Sequence, residues 1–455
     1  MLVRPEPGGH VPGRGKLMTR RFQFVVVTCS TCLLVILLLG LVLGKTNAAD
    51  DAYRHFSVFT DVISRIKSDY VEEPDMKNVT MGALNGLLEA IDPYASYLTA
   101  DQHKQYLKVK ESRKADVGLI VSRRFGYIGI VSAIPGSPAA KAGLSTGDVL
   151  ETIGGIATRD MPLAFAEVLM AGEPGTTLEL SVLRVRRSAE AQKVSLIRAP
   201  VGYPAVSGKM LPNDIAYLQA QSLDSSKSRD VAAKLDELQK QGAKRVILDL
   251  RDNATGSPEE GLALANLFLD QGLLTYLKGQ KVERKDFHAD PAKAICKLPL
   301  AVVTNRGTAG GAEIAAAALA DNKRADTVGE RTYGDAALRK ALTLDDGSAV
   351  ILSVAKYYLP VAGKAIQDTG VTPSLAVADA EAPSEDEEGA TPQPQAAPKP
   401  SEDLPLKKAI EVVTQGLAAA KKSQPPSTAS RAPGAGSRDN TLTPATPLNI
   451  PRPPK

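Results

Sequence analysis

The chain holds 455 residues, with 55 Lys and Arg against 51 Asp and Glu, for a formal net charge of +4. At roughly 150 residues per domain there is room for about three folded units, and 43% apolar with 23% charged residues is a globular composition. So slight a charge, 4% aromatics and no tryptophan argue against a nucleic-acid binder, and three cysteines exclude a disulfide-rich scaffold or a four-cysteine zinc site.

Residues 22–43, FQFVVVTCSTCLLVILLLGLVL, carry no charge. As a helix at ~1.5 Å per residue this run is about 33 Å long, enough to cross a ~30 Å hydrocarbon core. Arg14, Lys16, Arg20 and Arg21 precede it, and Asp50 and Asp51 follow soon after. The positive-inside bias places residues 1–21 in the cytoplasm and the rest across the membrane. A cleaved signal peptide with a site near Ala48-Ala49 is the alternative, but it needs an apolar core of only ~7–15 residues. A retained anchor is the preferred reading, and both readings export the body. Cys29 and Cys32 lie inside the run, where they read as small packing residues. Only Cys296 is then exported, which leaves no intrachain disulfide there.

After the anchor the chain changes period several times. Residues 55–70 have helical spacing, with Val58, Ile63 and Ile66 among the apolar positions. A second helix is predicted over 79–91, stopped by Asp92-Pro93. Between 115 and 199, the runs VGLIV (117–121), YIGIV (127–131), DVLETI (148–153) and TLELSVLRV (177–185) are separated by Gly and Pro, as in a compact β module. From 214 onward strands alternate with helices: IAYLQAQ, a helix over 228–241, the apolar strand RVILDL (245–250), a helix over 258–269, LPLAVV (298–303) and a small-residue helix over 311–320. That alternation predicts an α/β layer with parallel pairing, closed by strand-like stretches at 349–359 and 371–375.

Residues 379–403 form an acidic, Pro-rich linker, a last amphipathic helix is predicted over 406–420, and 422–455 read as a disordered tail. The domain plan is therefore a helical region at 50–112, the β module at 113–200, the α/β core at 201–378, the linker, and a C-terminal helix within 404–421. The fold class is an α/β core with a parallel or mixed sheet and an inserted mostly-β module. To these are added an N-terminal helical region and one transmembrane helix.

In this order the pieces resemble the carboxyl-terminal processing, or tail-specific, proteases, serine peptidases with an inserted PDZ domain. DYVEEPD (69–75) and GLLEAIDPYASYL (86–98) look like the family's N-terminal helical region, and SPAAKAGLSTGDVLETIGG (137–155) looks like the PDZ signature. VILDLRDNATG (246–256) is similar to a strand and loop usually written D-L-R-x-N-P-G-G. DGSAVILSVAKYYLPVAGKAIQDTGVTPSL (346–375) is similar to the closing strands.

The resemblance implies a serine nucleophile in G-[ST]-A-S-A-S-E. It also implies an unprotonated lysine base about 25 positions later and a glutamine four further on that orients the lysine. Gly307-Thr308-Ala309-Gly310-Gly311-Ala312-Glu313 fills the first stretch, with Gly307, Ala309 and Glu313 in register, so the nucleophile's position is Gly310. The lysine's position is Asp335 and the glutamine's is Arg339. Glycine has no nucleophile, and aspartate, with a reference pKa of about 3.9, is a poor base at neutral pH. Arginine keeps its proton. In the loop implied to bind the oxyanion, Ala254-Thr255 replaces Pro-Gly ahead of Gly256. Thr308 is the one substitute nucleophile in the stretch, and its simpler reading is a helix cap or a loop partner. Asp335 and Arg339 read as a surface ion pair at i, i+4.

Gly118, Leu119, Ile120 and Val121 occupy the place of the PDZ loop and strand that take a peptide's C-terminal carboxylate, with Ile120 where a second glycine is usual. His55, His103 and His288 stand in unrelated polar contexts and suggest neither a triad nor a metal site, and no cofactor is expected. The expectation is a membrane-anchored extracytoplasmic pseudoprotease that binds protein C-termini or unfolded polypeptide, an active relative or a second copy of itself. An active protease with relocated residues and a structural envelope protein are its rivals.

Overall fold

The computed structural model describes residues 47–112, 114–124, 126–184, 190–378 and 402–423, together with residues 28, 30 and 31. The basic N-terminus, the apolar run 22–43 apart from those three residues, the linker to residue 401 and the tail from 424 lie outside the described residues. Among the described residues no helix is long and apolar enough to cross a membrane.

The chain divides into two compact units, Met1–Met81 and Gly82–Lys455. The first contains α1 (Asn47–Asp69), longer at its start than the period alone predicts, with Val58, Phe59 and Val62 exposed. Helix α2 (Met76–Ile91) runs into the second unit and stops before Pro93. There β1 (Ser96–Leu98) and α3 (Ala100–Ser112) follow.

The β module is one sheet. Strands β2 (Leu119–Arg124), β3 (Tyr127–Ala133), β4 (Val149–Ile153), β5 (Ile156–Ala157), β6 (Thr177–Leu183) and β7 (Gln192–Ile197) pair antiparallel in the order β2-β3-β4-β6-β7, with β5 on β4. Helices α4 (Pro138–Lys141) and α5 (Leu163–Met170) cover it. Ser137 caps α4 by accepting the Ala140 N–H at 3.2 Å, with Pro138 at the first helical position, where its missing N–H is not needed.

The core contains two sheets. Strands β8 (Ser207–Leu211), β9 (Ile215–Gln219), β10 (Arg245–Asp249), β13 (Leu300–Thr304), β14 (Asp326–Gly329) and β17 (Leu375–Ala376) are ordered β17-β14-β13-β10-β9-β8, parallel except for the β8–β9 hairpin. β10 and β13 are apolar through their central residues because helices pack on both faces. One face carries α6 (Lys227–Lys240), α7 (Pro258–Asn266) and α8 (Gly310–Asp321). The other is closed by α9 (Leu404–Gln415) and α10 (Leu417–Lys422), whose Ala409, Val412, Val413 and Ala420 bury against Ile247, Ala301, Val303 and Val328. The second sheet is antiparallel: β11 (Leu273–Lys278), β12 (Lys285–His288), β15 (Ala337–Thr343) and β16 (Ala349–Tyr358), with β1 at one edge.

The 349–359 stretch is a strand, as expected, and it centres the second sheet. Two expectations are corrected. Of 371–375 only Leu375 is in a strand. The helix expected over 406–420 breaks at Gly416, where φ is +87°. Helix α3 and the short polar strands β12 and β15 carry no clean apolar period, so the sequence does not announce them.

Candidate active site

Strand β13 passes through residues 305–309 into helix α8. Gly310, its first residue, has φ +60°, and a Cβ added there would meet nothing within 4 Å. Strand, left-handed bend and helix make the backbone of a nucleophile elbow, here with no side chain at the bend. The bend is fastened to its surroundings. The Gly310 N–H donates to the Asp335 carbonyl (3.0 Å), the Ala309 N–H to Asn253 (2.9 Å) and the Tyr333 N–H to Thr308 (2.9 Å). The bend residue's own N–H is thus engaged by the chain and not open to an oxyanion.

The floor is the 249–256 loop. Asp249 has no exposed surface and lies under Arg251, whose Nη2 donates to it at 2.6 Å and whose Nε donates at 3.0 and 3.1 Å. Arg251 also holds Asp403 at 3.0 and 2.7 Å, which ties the start of α9 to the end of β10. Burial works against the Arg251 cation, yet its bonds to Asp249 and Asp403 hold its pKa above the ordinary value. The Tyr217 hydroxyl donates to Asp249 at 2.8 Å, and burial, with the carboxylate beside it, pushes the phenol up. Asp252 exchanges hydrogen bonds with Asn305 of the elbow turn (3.0 and 2.9 Å), and its carbonyl accepts from Ser132 of β3 at 3.1 Å. One loop therefore joins the C-terminal helix, the elbow and the β module.

Farther along the loop, Thr255 keeps an ordinary backbone, and the left-handed conformation falls to Gly256 (φ +108°), which passes so close to Leu223 that a Cβ would lie 1.8 Å from its carbonyl oxygen. The Thr255 carbonyl accepts the Leu223 N–H at 3.1 Å. These two positions hold strand-like contact with the 220–223 segment.

Glu313, in the first turn of α8, is fully buried and accepts the Thr332 hydroxyl and the N–H groups of Gly334 (2.7 Å) and Asp335 (2.8 Å). Burial pushes its carboxyl up to about 8, against the pull of those bonds. Glu313 thereby clamps the 332–335 loop, which carries the base position, against the elbow helix. Asp335 itself is ion-paired to Arg339, and the two side chains are 24% and 29% exposed. The expected ion pair is present, but it is half-buried at the entry to β15 and not at the open surface. The Arg339 guanidinium lies 4.0 Å over the ring of Tyr94.

Thr308 has no exposed surface. Its hydroxyl donates to the Leu250 carbonyl at 2.8 Å and accepts the Asn305 N–H at 3.1 Å. It does not cap α8, whose N-cap is Ala309 with no side-chain bond; it satisfies its own loop. His103 is buried with Nδ1 3.1 Å from the Gly347 carbonyl, and His288 stands exposed on β12, so neither joins the elbow.

In the β module Gly118 has φ +81°, its N–H donates to Asp116 at 2.6 Å, and a Cβ there would lie 2.2 Å from that of Ser137. Leu119 and Val121 are buried and Ile120 half-buried. β2 is the terminal strand of its sheet, so one row of its backbone groups faces outward. Ser122 of β2 is hydrogen-bonded to the Tyr333 hydroxyl, and Tyr94 and Tyr333 pack into the module's apolar cluster. The peptide-loop residues and the elbow are thus adjoining, linked through the loop that bears Asp335.

Sequence reasoning missed Tyr94, Ser122, Asp403 and Gln367, whose Oε1 accepts the Ala336 N–H at 2.8 Å. Tyr94 stood in a matched motif and was available as a signal. Asp403 follows an acidic run in which nothing marks it out.

Comparison with known proteins bears on the same segments. The profile of peptidase family S41 matches residues 214–377, and that of a PDZ domain matches residues 129–184. The chain is 32% identical over 339 residues to the carboxy-terminal processing protease CtpA of Bacillus subtilis, covering 73% of this chain and 71% of that protein. It is 29% identical over 337 residues to a carboxy-terminal-processing protease of Bartonella bacilliformis, covering 73% and 77%. The solved photosystem II D1 C-terminal processing protease superposes with a TM-score of 0.58 at 25% identity, over 70% of this chain and 92% of that one. The chain belongs to peptidase family S41, among the carboxy-terminal processing proteases that carry a PDZ domain.

Proposed function

We propose that the chain is a membrane-anchored, extracytoplasmic pseudoprotease that binds polypeptide, through C-terminal tails at its PDZ edge strand, without cleaving it. Its anchor is the apolar run 22–43, with residues 1–21 on the cytoplasmic side. The observation that carries the reading is the elbow: a bend at Gly310 with no nucleophile, its N–H engaged by Asp335, and an Asp335–Arg339 ion pair where the base and its orienting group belong. A displaced nucleophile at Thr308 is disfavoured, because its hydroxyl is buried and already donates to Leu250. The outward edge of β2 and the buried Leu119 and Val121 support strand addition by a peptide.

The purified protein, incubated with an unfolded protein and a fluorogenic peptide, is expected to release no product, while a peptide with a free C-terminus titrates to saturation. Turnover by the wild type that is lost in Thr308→Ala overturns the pseudoprotease reading in favour of a relocated site. Absence of saturable binding overturns the tail-binding reading in favour of a structural protein. The triple change Gly310→Ser, Asp335→Lys and Arg339→Gln restores the family's side chains, and any proteolysis gained confirms which positions carry the loss. Anchoring predicts release from membranes by detergent and not by high salt or alkaline wash.

A further inference from the structure

The remodelled site has a shortage of acceptors. Among the buried side-chain atoms with no hydrogen-bond partner are Tyr94 Oη, Arg339 Nε, Ser353 Oγ and Gln367 Nε2. They belong to one neighbourhood: Arg339 stacks on Tyr94, Ser353 is the strand partner of Arg339, and Gln367 is bonded to Ala336 beside Asp335. The Tyr94 ring also lies edge-on to that of Tyr333, 6.4 Å between centroids, and the Tyr333 N–H is bonded to Thr308 of the elbow turn. All four groups can donate, and unmet buried donors are rare enough to need an explanation. A Cβ at Gly310 would meet nothing within 4 Å, and the Asp335–Arg339 pair is partly exposed.

The charges decide what acceptor fits. Arg339 is the cation facing Asp335 and Asp92; Asp92 accepts the Tyr94 N–H at 2.9 Å and the Ser353 N–H at 3.1 Å. A ligand carboxylate would add like charge beside Asp335 and Asp92. A neutral amide brings a C=O for the donors and an N–H for the Asp335 carboxylate. We propose that this rebuilt site clamps backbone amides of an extended polypeptide: the Asp335–Arg339 pair parts, a peptide C=O takes the Arg339 and Tyr94 donors, and a peptide N–H takes Asp335. The inference rests on the reading that the chain binds polypeptide, and it adds a second contact, distinct from the PDZ strand, that reads neutral amides and not a terminal carboxylate.

Fluorescence polarisation with the full chain in detergent, a labelled unstructured peptide amidated at its C-terminus, and the same peptide as free acid tests the clamp. Tyr94→Phe and Arg339→Lys are each expected to weaken the amidated peptide about tenfold, the effect of one good hydrogen bond lost from a buried site. Tyr94→Phe is expected to melt at the same temperature as the wild type or higher, since it deletes an unmet hydroxyl; a purely structural tyrosine would lower it. Wild-type affinity in both variants overturns the clamp, assigning the donors to ordered water, and leaves tail binding standing. Tighter binding of the free acid, lost in Arg339→Lys, overturns the choice of a neutral amide. Failure of the wild type to bind either peptide overturns the clamp and the polypeptide-binding reading together.

Discussion

The floor of the site and its rim are built on different terms. The floor, residues 249–256, keeps the wording of the family's strand and loop through Asn253, and its side chains work on the fold itself: Asp249 and Arg251 fasten α9, Asp252 fastens the elbow and β3, and Gly256 lets two segments touch. The rim, Gly310, Asp335 and Arg339, carries none of the side chains that the family resemblance implies there, and the bend, the loop and the strand form around it. A reactive side chain contributes little to holding its own backbone in place, whereas a buried ion pair that joins β10 to α9 cannot be removed without leaving charges unmet.

That contrast is open to direct attack. The largest effect is expected from Arg251→Met, which strands the buried Asp249 and frees Asp403: about 3–5 kcal/mol of stability lost in urea denaturation, with α9 newly open to protease. Next comes a pair of matched substitutions. Gly256→Ala drives a Cβ into the Leu223 carbonyl at φ +108°, and a loss of at least ~3 kcal/mol is expected. Gly310→Ala meets no atom and carries only the strain of φ +60°, about 1–2 kcal/mol. Equal losses at the two glycines would dissolve the distinction between floor and rim.

Glu313 sharpens the comparison because it clamps the rim from the core side. Burial favours its neutral form, with a folded pKa of about 8 against an ordinary 4.5. Below pH 4.5 it is protonated in both states. As pH rises from 4.5 to 8 the unfolded chain releases the proton before the folded chain does, so stability falls across that window by up to a few kcal/mol and levels off above it. Melting temperature against pH should show that slope in the wild type and lose it in Glu313→Gln. The smallest effect is expected from Tyr217→Phe, which removes one bond to Asp249 while Arg251 still holds it: about 1 kcal/mol.

Much of the fold was legible because its signals are local. The apolar run of β10, the proline after α2 and the glycine-punctuated strands of the β module each report their own environment. β12, β15 and α3 were not legible, being polar segments that take their form from the partners they lie against. At the site, the ion pairing of Asp335 with Arg339 could be read from their spacing. Which of its two readings Thr308 takes, cap or loop partner, could not, since its hydroxyl bonds to a carbonyl at Leu250, 58 positions away.

The amino-acid sequence by itself determined the chemical content of this protein: the order of its modules, and a glycine, an aspartate and an arginine at positions 310, 335 and 339. No arrangement of the backbone gives glycine a nucleophile. Tertiary structure alone decided what the replacements touch. Arg251 meets Asp403 across 152 positions, and Arg339 lies over Tyr94 only once β15 has paired in its sheet and the elbow has formed. Side-chain hydrogen bonds and stacking act over a few ångströms, so their partners are set by which strands and helices come together, and that is settled by burying the whole core.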